Sequence, residues 1–182
     1  MKKLFFLLLF SSIIFIACKS EKKPEEITEN KIEKKQESID VSDVSVRSLN
    51  YNELKPLLEK NNDSIYVVNF WATWCKPCIE ELPAFEKLNQ EYNSENVNVL
   101  LVSLDFPNQI ESRLKPYIIK KNLQSKVVLL DDVNEDVWIK AISEKWSGAI
   151  PATIIYNKNS KKFYEQSFNY ETLETELKTF LN

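Results

Sequence analysis

Residues 69–78, NFWATWCKPC, restrict the fold of this chain more than any other stretch. Cys75 and Cys78 stand where an apolar, strand-like run ends and helical spacing begins. A strand must therefore pass through a short turn straight into a helix that starts at a cysteine. The two-residue separation lets the sulfurs close a small ring, or open it, with little movement of the backbone. A helix beginning at Cys75 also aims unpaired backbone N–H groups at its sulfur, which favours thiolate over thiol. The segment reads as a dithiol/disulfide reaction centre.

The remaining periodicity predicts what surrounds that junction. Leu54, Leu57 and Leu58 give residues 51–60 helical spacing, and 66–72 is a buried-strand run. Residues 76–92 carry Leu82, Phe85, Leu88 and Tyr92 at three- and four-residue steps, with Pro83 expected to kink that helix. Strands are predicted over 97–104 and 127–130, and a helix over 110–121. A further helix over 134–146 is expected to bury Val137, Trp138, Ala141, Ile142 and Trp146 on one face. Two strands, 152–156 and 162–168, flank the polar turn 157–161 and form a hairpin. An amphipathic helix over 170–181 closes the chain. Strands alternating with helices imply an α/β fold with a mostly parallel sheet covered on both faces, and the hairpin adds an antiparallel edge.

Composition removes several classes of chemistry. The chain has 182 residues, no histidine, one glycine (Gly148) and three cysteines. Without histidine there is no Ser-His-Asp or Cys-His catalysis and no histidine metal site. Ile79 after the second cysteine rules out c-type haem attachment, and a zinc ribbon would need a second cysteine pair. A glycine-rich phosphate loop is excluded. A net charge of −3 gives no reason to expect a nucleic-acid partner. No metal and no organic cofactor are called for.

The N-terminus carries an address. Lys2 and Lys3 precede a 13-residue apolar run over 4–16, broken by Ser11 and Ser12, and Ala17 then precedes Cys18. A run this short suits a signal peptide better than a spanning helix. The small residue before a cysteine resembles the lipobox of bacterial lipoproteins, although Phe15 stands where that pattern has Leu. The expected organisation is a signal peptide over 1–17, a lipidated Cys18 opening a charged tether over 18–44, and a folded domain over 45–182. The alternative is an uncleaved helical anchor. Both readings put the domain outside the cytoplasm at a membrane, where disulfides persist.

NFWATWCKPC together with the distant Ala149-Ile150-Pro151-Ala152-Thr153 resembles the thioredoxin-fold oxidoreductases. Within them, the chain is most similar to the TlpA/ResA group of membrane-tethered proteins. The resemblance covers about residues 45–182 and implies a thioredoxin-like fold, with 110–130 as the inserted helix and strand of that group. It also implies that Pro151 is cis, faces the CxxC and shapes, with Ile150, the groove for an extended client. The implied working direction is reduction of client disulfides, with apocytochrome c a typical client of the group. The implied electron source is a membrane thiol-reducing system.

Cys75, at the helix start, is the expected nucleophile, and Cys78, one turn further in, the resolving thiol. Free thiols titrate near 8.5, whereas CxxC sites span roughly 3.5 to 7.5. Trp74 is expected to form a partly exposed platform beside Cys75, and Trp71, Trp138 and Trp146 to lie in the core. Lys76 and Pro77 would tune the site, the first as a cation and the second as a fit to the first helical turn. Glu81 lies three residues after Cys78 on the same helix face and could take its proton during resolution. The TlpA/ResA group uses an acid here. Cytosolic thioredoxins instead place a buried Asp six residues before the first cysteine, where this chain has Asn69. Two rivals accompany the oxidoreductase reading. One is a peroxidase, although Val68 and Trp71 do not supply the Pro and Thr that peroxiredoxins carry ahead of their cysteine. The other is a non-catalytic binding lipoprotein with a structural disulfide.

Overall fold

A computed structural model describes residues 40–181 of the chain. The expected signal peptide, Cys18 and the tether up to residue 39 lie outside the described residues. Among the described residues, no helix is long and apolar enough to cross a membrane.

The elements follow in the order β1 (Arg47–Leu49), α1 (Tyr51–Leu58), β2 (Ile65–Trp71), α2 (Lys76–Tyr92), β3 (Val97–Ser103), α3 (Lys115–Lys121), β4 (Lys126–Leu130), α4 (Glu135–Ile142), β5 (Ala152–Tyr156), β6 (Lys161–Tyr164) and α5 (Tyr170–Lys178). A π-helical turn, Ile110–Leu114, leads into α3. The six strands form one sheet in the order β1-β4-β3-β2-β5-β6. β1, β4, β3 and β2 run parallel, while β5 is antiparallel to β2 and β6 antiparallel to β5. The mostly parallel sheet with an antiparallel hairpin is thus the architecture that the strand and helix periods imply.

Period-2 alternation divides the sheet into two cores. Ile65, Val67 and Trp71 of β2, with Val99 and Leu101 of β3, pack against α2 and α5. Tyr66, Val68 and Phe70, with Leu100 and Val102, pack with Leu54 and Leu58 of α1 and with Trp138 and Ile142 of α4. All seven residues of β2 are buried. This two-sided burial is why the segment reads as an unbroken apolar run with no alternation. Asn69 interrupts the run and sits on the α2 side by its parity with Val67 and Trp71.

Three expectations are corrected. β1 is absent from the sequence reading because a three-residue edge strand leaves no periodic signal. The helix expected over 134–146 stops at Ile142, since Ser143 is extended. Val137 and Ala141 consequently face solvent, Val137 being 65% exposed, and Trp146 reaches the core from a loop. The second hairpin strand ends at Tyr164 instead of reaching Phe168, and α5 ends at Lys178. As expected, Pro83 lies inside α2.

Candidate active site

The CxxC lies at the carboxyl end of the parallel strands, where α/β sheets characteristically open their sites. β2 ends at Trp71, whose carbonyl accepts the Leu104 N–H at 2.8 Å, tying the end of β2 to the end of β3. The Thr73 N–H donates to the Asp105 carboxylate at 3.1 Å and its hydroxyl at 2.5 Å, and the Ser103 hydroxyl donates to the same carboxylate at 2.8 Å. A buried carboxylate with these donors holds the turn that presents Trp74 and Cys75.

Cys75 is the N-cap of α2, in extended conformation, and its Sγ accepts the Cys78 N–H at 3.3 Å. The N–H groups of the first turn therefore point where an ionised sulfur would need them. Pro77, within the first helical turn, removes no hydrogen bond there. The two cysteines are joined as a disulfide, their Cα atoms 5.3 Å apart. Cys75 is only 6% exposed, less open than a helix-start position suggests, while Cys78 is fully buried. The Cys75 Sγ lies 3.7 Å from the Ile150 carbonyl oxygen, which roofs the sulfur.

That roof belongs to the turn before β5. The Ile150–Pro151 peptide is cis, and Pro151 is buried. Gly148 sits at φ +97°, a region that L side chains rarely adopt, and a Cβ there would meet Ile139 Cδ1 at 3.1 Å. Trp146 fixes the same turn from inside, its Nε1 donating to the Ala149 carbonyl at 2.8 Å. Trp74 stands out from the site, 50% exposed, while Trp71 is buried against Tyr117. Lys76 points into solvent and pairs with Glu80 at 3.8 Å, an exposed i,i+4 contact worth about 0.3–0.5 kcal/mol.

Glu81 is the least conventional side chain of the site. It is 3% exposed and lies on the inward face of α2 with Cys78. Its carboxylate accepts the Asn69 amide at 2.7 Å and the Phe168 N–H at 2.8 Å. Burial pushes its pKa up to about 7, against the pull of those two hydrogen bonds. The Asn69 amide nitrogen also lies 3.2 Å from the Thr153 hydroxyl. Asn69, at the position where cytosolic thioredoxins carry an Asp, stands here as a donor to the acid. A polar residue inside an apolar strand run was the available signal, because a buried amide needs a partner. The Phe168 contribution is main-chain and leaves no trace in the sequence. Among the described residues, no group of acidic or cysteine side chains is arranged to hold a metal ion.

Comparisons with known proteins fit this geometry. The chain is 34% identical over 82 residues to thioredoxin-like protein YneN of Bacillus subtilis, a match covering 45% of this chain and 46% of that one. It is 28% identical over 109 residues to the thiol-disulfide oxidoreductase ResA of Bacillus cereus, covering 60% and 56%. The chain thus spans about half the length of these curated relatives. Among solved structures, a thioredoxin-related protein from Neisseria meningitidis serogroup B superposes with a TM-score of 0.56 at 20% identity, over 67% of this chain and 87% of that one. The fold is thioredoxin-like. The family profile described as AhpC/TSA matches residues 38–161, a span that runs from ahead of β1 to the first residue of β6. Because it takes in the central strands and the whole CxxC helix, the chain belongs to the AhpC/TSA family.

Proposed function

We propose that this protein is an extracytoplasmic protein-disulfide reductase in which Cys75 attacks and Cys78 resolves. The observation that carries the reading is the Cys75 sulfur, capped by the Cys78 N–H at the start of α2 and set beneath the Ile150 carbonyl. The Cys75 thiolate attacks one sulfur of a client disulfide. The client S–S bond breaks, a Cys75–client mixed disulfide forms, and one client thiolate leaves and is protonated. Glu81, with its pKa near neutrality, takes the Cys78 proton. The Cys78 thiolate then attacks the Cys75 sulfur and expels the second client thiolate. The client gains two electrons and two protons, and the protein is left with the Cys75–Cys78 disulfide. An external dithiol, supplied by resemblance through a membrane thiol-reducing system, restores the reduced pair.

The further assignments follow the same reading. Residues 1–17 are a signal peptide, Cys18 carries lipid, 18–44 tether the domain, and 45–182 form it, facing the periplasm. Trp74, Ile150 and Pro151 contact the client, apocytochrome c being one candidate. No metal or organic cofactor takes part. A Cys78→Ser variant should accumulate covalent client adducts at Cys75, visible by non-reducing electrophoresis. Absence of adducts, together with absence of dithiol-dependent disulfide reduction by the parent protein, defeats the proposal. The AhpC/TSA family match favours a second reading, since the resemblance implies that the helix and strand over 110–130, here α3 and β4, are an insertion also found in peroxiredoxins. A peroxidase would consume hydrogen peroxide through a Cys75 sulfenic acid, and peroxide turnover distinguishes the two.

A further inference from the structure

An open groove of about 370 Å³ lies between the turn that follows β3 and the loop that leads into α4, and Trp74, the neighbour of Cys75, lines it. Ile150, whose carbonyl roofs Cys75, also lines it. Leu104 and Trp138 line it, and Trp74, Phe106 and Val133 stand along it 50%, 60% and 92% exposed. Large apolar side chains left this open beside a reaction centre mark a binding surface.

Charge narrows what can bind. Asp131, Asp132 and Glu135 rim the groove, and no lysine or arginine lines it. Backbone N–H groups hold Asp132 in place, and a side-chain hydroxyl holds Asp131. Asp132 accepts the Tyr51 N–H at 3.0 Å and the Asn134 N–H at 2.9 Å, and the second of these holds its carboxyl below the ordinary value. Asp131 accepts the Ser48 hydroxyl at 3.2 Å. Two nearby lysines are turned elsewhere: Lys140 donates to the Trp146 and Glu144 carbonyls, and Lys76 pairs with Glu80.

We propose that this groove docks an extended client segment that is apolar beside its cysteine and carries lysine or arginine further along. The proposal rests on the disulfide-reductase reading and names the client class. A lysine or arginine stem can lie along Phe106 and Val133 while its charged head reaches the acidic rim. An arginine can also stack on Trp74. An acidic segment would meet like charge on the same path.

The experiment uses the full chain, a reducing dithiol and three disulfide-bonded peptides that differ only in flanking residues: lysine, glutamine or glutamate. At low ionic strength kcat/KM should favour the lysine peptide over the glutamate peptide by about tenfold. In 0.5 M salt the preference should fall to within about twofold. The double variant Asp131→Asn, Glu135→Gln should show the same collapse at low salt, and Phe106→Ser should lower kcat/KM for all three peptides by several-fold. Asp132 is left in place because it holds backbone N–H groups. Equal turnover of the lysine and glutamate peptides by the parent protein overturns the groove assignment and leaves the reductase standing. So does a preference that neither salt nor the double variant reduces. Failure to reduce any peptide, or insulin, overturns both.

Discussion

At the scale of single residues, Glu81 and Asn69 are the informative pair. A carboxyl at 3% exposure is expensive to ionise, and the two donors that reach it offset only part of that cost. The result is a proton acceptor poised near neutrality on the same helix face as the inner cysteine. Glu81→Gln keeps the shape. Its amide can be accommodated because the Asn69 Oδ1 is buried with no partner among the described residues, so a turned Asn69 amide could accept from it. The variant should therefore fold, resolve mixed disulfides about 10²-fold more slowly near pH 7, and lack the rise in rate through pH 7 expected of the parent protein. Stopped-flow measurement of mixed-disulfide decay against pH checks this, and an unchanged profile would remove Glu81 from the proton path. The position of Glu81 relative to Cys78 was legible from a three-residue step along a helix. Its burial and its two donors were not, since they come from β2 and from the loop ahead of α5, 12 and 87 residues away in sequence.

At the scale of elements, the junction of β2 and α2 follows from local rules: a two-sided strand, a cysteine cap and a proline in the first turn. The turn over 143–151 does not. Trp146 is the last apolar residue of an apparent helical series, yet the helix ends four residues earlier. The ring instead inserts beneath the sheet, with ring-centroid separations of 4.8 Å to Phe70, 5.6 Å to Trp138 and 5.8 Å to Phe163. From there it also holds the Ala149 carbonyl next to Ile150. Trp146→Ala should cost about 3–5 kcal/mol of unfolding free energy by denaturant titration. It should also lower reductase kcat/KM, because the Ile150 roof loses its support. A loss under about 1 kcal/mol would show that the turn is held by other contacts. β1 illustrates the opposite limit: three residues with one buried side chain are a strand only because β4 offers them an edge.

For the molecule as a whole, the buried acid links stability to pH. Below the unfolded value of 4.5, Glu81 is protonated in both states and burdens neither. Above it the unfolded chain releases the proton while the fold keeps it, so stability falls as pH rises, until the folded carboxyl also ionises at about 7. The interval corresponds to about 3 kcal/mol. Urea unfolding of the oxidised protein should show that loss between pH 4.5 and pH 8, and Glu81→Gln should remove it. Equal pH dependence in the two proteins would place the acid in a wetter site than the fold shows.

From sequence alone came the α/β order, the parallel sheet with its terminal hairpin, the redox character of the cysteine pair and the helix that carries them. These rest on spacing along one chain, where turn geometry, burial period and the helix N-terminus act over a few residues. Tertiary structure alone decided which groups meet across the sheet. It brought Asn69 and a main-chain N–H onto Glu81, and an acidic rim alongside an apolar groove. Those contacts join segments far apart in sequence, and their energies depend on distance and dielectric in three dimensions, for which a linear pattern holds no record.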